Sequence, residues 1–238
     1  MLIGMYNYVL IPGAWLGGWV WDKVDHILER SDHNVFPITL TGMGERVHLA
    51  SPEIGIQTAI EDVLNVIKFN DLENIVLVGH SFAGKVAAAV SDRIPEKIRM
   101  TVYLDSFMPV DTQGPQGSFD TQEFGPPEEG SFVIPFSETV LDNIGKDVKG
   151  KNKKWMLDKC TPWPIKLDTD PIILTNSPHH MKTGYIFCTL SGAPVDEIIQ
   201  GKWGKLNGPF RVMETGHYPM ITKPDEIAKY LLELPELQ

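Results

Sequence analysis

The stretch Asn74-Ile75-Val76-Leu77-Val78-Gly79-His80-Ser81-Phe82-Ala83-Gly84-Lys85-Val86-Ala87-Ala88-Ala89-Val90 decides how this chain folds. Residues 74–78 are short, apolar and rich in β-branched side chains, which predicts a buried parallel strand. The Ala-rich run 85–90 predicts a helix. A strand, a tight turn with Ser81 at its tip and a helix together expose a nucleophilic hydroxyl at the end of a sheet.

The turn itself needs small residues around Ser81, because it forces the serine into a strained backbone conformation. Gly79, Ala83 and Gly84 supply them. The usual motif, G-x-S-x-G, has glycine where this chain has Ala83, but alanine still fits a close strand–helix contact. The hydroxyl is expected over a helix N-terminus, whose free N–H groups favour developing negative charge.

Composition points to one acidic globular domain. The chain has 238 residues, 42% of them hydrophobic, and a net charge of −10. This charge argues against nucleic acid or an anionic membrane surface as a partner. The one basic run, residues 146–154, is interrupted by Asp147 and Gly150, so it is interpreted as a solvated face. Two cysteines, Cys160 and Cys188, build neither a disulfide framework nor a metal-ligand spacing.

The N-terminal residues 1–8 lack a charged region followed by a long apolar core, and no apolar run reaches the length of a membrane span of about 18 residues. A cytoplasmic location and no membrane insertion are therefore expected.

Strand and helix patterns alternate along most of the chain. This alternation predicts an α/β fold with a mostly parallel sheet of about six strands and helices on both faces. The alternation stops at Pro109 and resumes near residue 183, which divides the chain into a core (residues 1–109 and 183–238) and a cap or lid insertion (residues 110–182). Two short helices are expected in the insertion, at residues 137–144 and 152–157. Its apolar side chains, Phe119 and Phe124 among them, suffice to line a pocket or to fix the cap to the core.

A serine hydroxyl is a poor nucleophile unless a base accepts its proton. His217 is predicted to be that base, because it lies in the loop between the last strand and the last helix. The other histidines have structural interpretations: His80, for example, is predicted to pack behind the nucleophile.

The oxyanion hole needs two backbone N–H groups directed at the developing charge. One is predicted to come from Phe82, the residue after the nucleophile. The other is predicted to come from Ala14, in the Gly-rich loop 12–19 that follows the first strand. That loop has a second interpretation, as a flexible turn.

Two carboxylates are candidates for the acid that orients His217. Asp105 ends the strand that follows the helix predicted at residues 85–90, so it can reach the histidine from the neighbouring strand. Asp196 follows the strand predicted at residues 184–188. Most proteins with this arrangement of strand, serine turn and helix carry the acid after that strand, but Asp196 lies well beyond its end. Asp105 is favoured, with Asp196 as the alternative. Each carboxylate also has a purely structural interpretation. Asp105 would cap a loop, and Asp196 would place a negative charge at the N-terminus of a helix.

These segments resemble a group of α/β-hydrolases that contains plant methylesterases, hydroxynitrile lyases and bacterial esterases. The similar stretches are residues 12–19 (PGAWLGGW, like H-G-A-x-x-G-G-W), 78–81 (VGHS), 102–109 (VYLDSFMP, like V-F-L-x-A-F-M-P), 185–189 (YIFCT) and 216–220 (GHYPM, like G-x-H-x-x-M). The resemblance covers nearly the whole chain outside the cap.

Three departures from this group are informative. Pro12 replaces a histidine of the oxyanion loop, which should leave the Ala14 N–H in place. Ser191 occupies the position of the plant enzymes' acid, which supports Asp105. The lyases similar to the rubber-tree enzyme have Thr, Glu and Lys where this chain has Gly13, His80 and Tyr218, so the resemblance implies an esterase.

The sequence thus predicts a serine carboxylesterase for small to medium apolar esters, with Ser81, His217 and Asp105 as the triad and Ala14 and Phe82 as oxyanion donors. No metal or organic cofactor is implied. Two alternatives are a hydroxynitrile lyase or related lyase on the same triad, and a ligand-binding protein that kept the fold without hydrolysis. The resemblance also implies a homodimer.

Overall fold

A computed structural model describes residues 4–106, 129–175, 181–202 and 204–237. Its strands are β1 (Asn7–Ile11), β2 (Asn34–Pro37), β3 (Ile75–His80), β4 (Ile98–Leu104), β5 (Val133–Ile134), β6 (Trp163–Pro164), β7 (Thr183–Cys188) and β8 (Phe210–Met213). Six of them form one sheet in the order β2-β1-β3-β4-β7-β8, and every neighbouring pair in it is parallel. The prediction of an α/β fold with about six mostly parallel strands is confirmed.

The central strand β3 is buried along its whole length. Ile11 of β1 pairs with Gly79, and His80 pairs with Leu104 of β4. Because the strands are parallel, their carboxyl ends meet at one edge of the sheet. The loop after β1, the turn after β3 and the residues after β4 therefore arrive side by side.

Nine α-helices accompany the strands in the described residues: α1 (Asp22–Glu29), α2 (Ile56–Phe69), α3 (Ala83–Arg93), α4 (Glu138–Ile144), α5 (Gly150–Lys159), α6 (Lys166–Thr169), α7 (Val195–Ile199), α8 (Pro219–Thr222) and α9 (Pro224–Glu233). None of the helices that the structure describes has the length and apolar character needed to cross a bilayer.

Helices cover both faces of the sheet, as the sequence predicts, and the two-residue period of β3 shows why. Val76 and Val78 face the cluster that contains the apolar residues of α1 and α9. Ile75 and Leu77 face the opposite cluster, which contains those of α2 and α3. A strand buried on both sides needs apolar residues at consecutive positions, and this is the run that the sequence shows.

Local differences from the predicted elements are small. A 3₁₀ turn, Gly18–Trp21, directly precedes α1, which is α-helical from Asp22. The strands β5 and β6 and the helices α6 and α8 were not predicted, because each has four residues or fewer and too little periodicity to detect.

The described part of the insertion, residues 129–175, packs on both clusters of the core. β5 and β6 pair in antiparallel fashion, and the two predicted helices are present as α4 and α5. Leu141 and Met156 join the cluster of α1 and α9, whereas Ile134 and Trp163 join the opposite cluster.

The boundaries of the core and the insertion stay predictions. Residues 107–128 and 176–180, which include Phe119 and Phe124, lie outside the described residues.

Candidate active site

Ser81 sits at the tip of a sharp turn between β3 and α3. Its φ is 58°, in the left-handed region that non-glycine residues rarely adopt. Its N–H donates to the carbonyl of Leu104 (3.1 Å), and its own carbonyl accepts from the hydroxyl of Ser106 (2.5 Å). Both contacts fix the turn against the end of β4, and the conformation is the strained one that the motif predicts.

Gly79 is required by the close packing of this turn. A Cβ at Gly79 would lie 2.7 Å from the carbonyl oxygen of Ala83 and 2.9 Å from the Cβ of Ala87. Any side chain there would push α3 away from β3 and move Ser81 with it.

Gly13 brings the loop after β1 equally close to the turn. A Cβ at this position would lie 3.0 Å from the Cβ of Ser81 and 2.7 Å from Nδ1 of His80. The missing side chain therefore lets the backbone beside Ala14 approach the serine.

His217 and Asp105 meet directly. Nδ1 of His217 lies 2.6 Å from Oδ2 of Asp105, and the exposed fractions of the two side chains are 12% and 4%. The backbone of Asp105 has φ 41°, and its N–H donates to the carbonyl of Ile186 (2.7 Å). The second carboxylate oxygen, Oδ1, accepts from the N–H of Cys188 (3.1 Å) and lies 3.2 Å from Oγ of Ser191. These donors orient the carboxylate toward the imidazole.

The alternative acid lies elsewhere. Asp196 is exposed in the first turn of α7. The structure thus pairs His217 with Asp105, the carboxylate that the sequence favours. Their catalytic roles stay predictions.

His80 contacts the loop that carries His217. Its Nε2 lies 2.8 Å from the carbonyl oxygen of His217, and the two ring centroids are 4.6 Å apart. The carbonyl can only accept, so the Nε2 of His80 carries the hydrogen. Burial lowers the pKa of His80 well below its ordinary value, and the nearby His217 adds to this effect. Sequence reasoning assigned His80 to packing and missed this hydrogen bond; its position directly before Ser81 was the available signal.

The two predicted oxyanion donors adjoin residues of the turn: Phe82 directly follows Ser81, and Ala14 directly follows Gly13, whose backbone lies close to Ser81. Phe82 is the N-cap residue of α3, and Ala14 is buried in the turn after β1. Over the described ranges, the N–H groups of Ala14 and Phe82 donate to no protein acceptor. Two free N–H groups beside a serine can stabilise an oxyanion.

The insertion covers these loops. The Trp163 ring lies 5.2 Å from that of Phe82 and 5.4 Å from that of Trp15. On the other side, the N–H of His217 donates to the carbonyl of Ile144 (2.9 Å). The insertion therefore contacts the elements that carry the predicted base and both predicted oxyanion donors.

The other histidines stand apart from this arrangement. His33 accepts a hydrogen bond from the N–H of Tyr6 (3.1 Å) and stacks on its ring, so it belongs to the core. His26 and His48 are exposed, and residues 179–180 lie outside the described residues. In the part of the chain that the structure describes, no three His, Cys, Asp or Glu side chains form a group that could hold a metal ion.

Three features together define the α/β-hydrolase class. They are a parallel sheet with helices on both faces, a strained serine between β3 and α3, and a His–Asp pair at the same sheet edge. Residues 8–230 match the pattern of the alpha/beta hydrolase family. The chain therefore belongs to this family.

Individual relatives agree with this assignment. The chain is 31% identical over 244 residues to the carbendazim hydrolyzing esterase of Nocardioides sp. (strain SG-4G), a match that covers 97% of this chain and 100% of the relative. It is 29% identical to methylesterase 9 of Arabidopsis thaliana, covering 98% and 99%. Among solved structures, an extracellular alpha/beta-hydrolase from a Paenibacillus species superposes with a TM-score of 0.80 at 19% identity, covering 97% and 99%. At this identity the likeness concerns the fold.

Proposed function

We propose that the protein is a serine carboxylesterase that hydrolyses small to medium apolar carboxylic esters. The observation that carries the proposal is the 2.6 Å contact between His217 Nδ1 and Asp105 Oδ2 at the sheet edge where Ser81 occupies the strained turn between β3 and α3. A histidine oriented in this way presents its Nε2 as a base. The names of the relatives, an esterase and a methylesterase, support the same class of reaction.

In the proposed mechanism, Ser81 Oγ attacks the ester carbonyl while His217 accepts its proton. The N–H groups of Ala14 and Phe82 bind the oxyanion, and Asp105 stabilises the imidazolium. Collapse of the tetrahedral intermediate expels the alcohol, which takes the proton from His217. Water, deprotonated by His217, then attacks the acyl-enzyme. The carboxylic acid leaves as Ser81 takes the proton back from His217, and the acid then ionises in water.

His80 and Gly13 favour the esterase over the lyase alternative. The buried imidazole of His80 stands directly before the nucleophile, and the Cβ position of Gly13 is filled by His80 and Ser81. The glutamate and threonine of the rubber-tree type of lyase are therefore absent from those two positions.

Hydrolysis of p-nitrophenyl acetate, butyrate and octanoate by the wild type and by Ser81→Ala tests the proposal. The panel includes a methyl ester and carbendazim, because the relatives are named for such activities. We expect turnover that is lost in Ser81→Ala, and circular dichroism establishes that the variant is folded. Absence of turnover in the folded wild type, or equal turnover in both proteins, would contradict the proposal.

Residues 110–182 are proposed to act as the cap over this site, and no cofactor takes part in the mechanism. A homodimer and a cytoplasmic location remain predictions, which gel filtration with light scattering and localisation of the tagged protein would test.

A further inference from the structure

Trp15 follows the predicted oxyanion donor Ala14 and has an unusual backbone. Its φ is 65°, a value that is costly for a bulky side chain. The surrounding contacts must hold such a residue in place. Within the loop, the N–H of Leu16 donates to the carbonyl of Gly13 over a long 3.4 Å.

The insertion holds Trp15 from three sides. The indole N–H donates to the carbonyl of Ile134 in β5 (3.0 Å), and the carbonyl of Trp15 accepts from the N–H of Thr161 (3.0 Å). The indole also packs against Phe136 and Trp163, with ring centroids 5.6 and 5.4 Å away. The exposed fraction of Trp15 is 3%, so these contacts enclose the side chain.

The two hydrogen bonds join backbone and side chain of one residue to two separate segments of the insertion. Thr161 is itself fixed to the core, because its hydroxyl accepts from the N–H of Gly44 (2.8 Å). The insertion therefore determines both the position of the indole and the orientation of the peptide bond between Trp15 and Leu16.

We propose that Trp15 is a positioning residue through which the insertion aligns the Ala14 N–H for oxyanion binding. This inference rests on the esterase function proposed above. The role is indirect: Trp15 fixes the loop that presents the donor. Its loss is expected to lower kcat, because a misplacement of about 1 Å in a positioned catalytic group can cost about 100-fold in rate.

Two variants separate alignment from folding. Trp15→Phe keeps an aromatic ring but loses the N–H that binds Ile134. Trp15→Gly loses the whole side chain but accepts a positive φ without strain, so it should still fold. The matched control is Trp155→Phe, which alters the contact of the insertion with the far end of the same loop, the edge-on packing of Trp155 on Trp19 (4.9 Å between ring centroids).

The first readout is kinetic. With p-nitrophenyl butyrate, we expect Trp15→Gly to lower kcat by about 10- to 100-fold, and Trp15→Phe by less, with KM little changed. Inhibition by phenylboronic acid, which forms a tetrahedral adduct with a serine, should weaken in parallel with kcat, whereas inhibition by butyrate should not. Trp155→Phe should retain wild-type kcat. A rise in KM alone would overturn the inference, because it would make Trp15 a substrate-binding side chain.

The second readout does not depend on activity. Amide hydrogen exchange of a peptide covering residues 13–18 should accelerate in Trp15→Phe and stay unchanged in Trp155→Phe. Unchanged exchange together with wild-type kcat in both Trp15 variants would overturn the inference while leaving the esterase proposal intact. An inactive wild type would instead overturn the esterase function, and with it the catalytic purpose of the alignment, even if exchange shows that the insertion fixes the loop.

Discussion

Oγ of Ser191 lies 3.2 Å from Oδ1 of Asp105, although the two residues follow different strands of the sheet. Asp105 follows β4, and Ser191 lies three residues beyond β7. β4 and β7 are neighbours, so the end of β7 lies beside Asp105, which contacts the imidazole of His217. The Ser191 hydroxyl also lies 2.8 Å from the carbonyl of Cys188, which fixes the turn that brings it there. A carboxylate could thus approach this imidazole from either strand, and the chain has one on β4.

Replacement of Asp105 by asparagine should remove most of the activity. Asp105→Asn keeps the shape of the side chain but loses the charge and favours the wrong tautomer of His217, so we expect kcat to fall by about 10³–10⁴-fold. Asp196→Asn, which alters an exposed residue of α7, should have a mild effect. Steady-state kinetics of both variants checks this ranking, and the reverse ranking would exclude Asp105 as the orienting acid.

A carboxylate placed at residue 191 should restore part of the lost activity. We expect the double variant Asp105→Asn/Ser191→Asp to recover at least about tenfold in kcat over Asp105→Asn, because orientation of the base accounts for most of that loss. The matched control is Asp105→Asn/Ser191→Asn, which has similar volume at residue 191 but no charge. Equal kcat in the two double variants would show that the ends of β4 and β7 are not interchangeable sources of the acid.

The sequence pattern was sufficient for the sheet and for the pairing of His217 with Asp105. Each parallel strand is a continuous apolar run, and the residues that follow those runs must gather at one sheet edge. This rule alone places Ser81, Asp105 and His217 near one another, without knowledge of the loops. It also selects Asp105 over Asp196, since only Asp105 ends a strand directly.

The contacts between loops that are distant in the chain could not be predicted from the sequence. The hydrogen bond from Trp15 to Ile134 spans 119 residues, and the bond between His80 and the backbone of His217 spans 137. Neither leaves a periodic signal, because each depends on how the insertion and the last loop pack on the core. The short strands β5 and β6 went undetected for the same reason: their pairing is set by the contacts around them.

The buried His80 should make the folding stability depend on pH. Its pKa in the folded protein is lowered by burial, whereas in the unfolded chain it should titrate near 6.5. Below about pH 6.5 the unfolded state therefore binds the additional proton, and stability falls as the pH decreases. The slope from one histidine is at most about 1.4 kcal/mol per pH unit. His33, whose pKa is also lowered by burial, should contribute in the same direction.

Urea unfolding of the wild type and His80→Gln between pH 5 and 8 measures this contribution. Glutamine can still donate to the carbonyl of His217 but does not titrate, so the variant should lose less stability between pH 6.5 and 5 than the wild type. His48→Gln, which removes an exposed imidazole, is the matched control. Parallel stability curves for the wild type and His80→Gln would rule out a buried, neutral His80.

Lys85 should be important for stability because it joins α3 to the insertion. The exposed fraction of Lys85 is 6%, and its Nζ donates to the carbonyls of Asp168 (2.5 Å) and Asp170 (3.2 Å). Burial lowers the pKa of this ammonium, while the carboxylates of Asp168 and Asp170 oppose the shift. Lys85→Met keeps the apolar stem but removes these charged hydrogen bonds, so we expect a loss of roughly 3 kcal/mol in the free energy of unfolding.

Lys153→Met is the control. It breaks ion pairs with Glu138 and Asp142, whose side chains are largely exposed, and should change stability little. Equal unfolding free energies for Lys85→Met and the wild type would mean that the hydrogen bonds of Lys85 make no net contribution to holding the insertion.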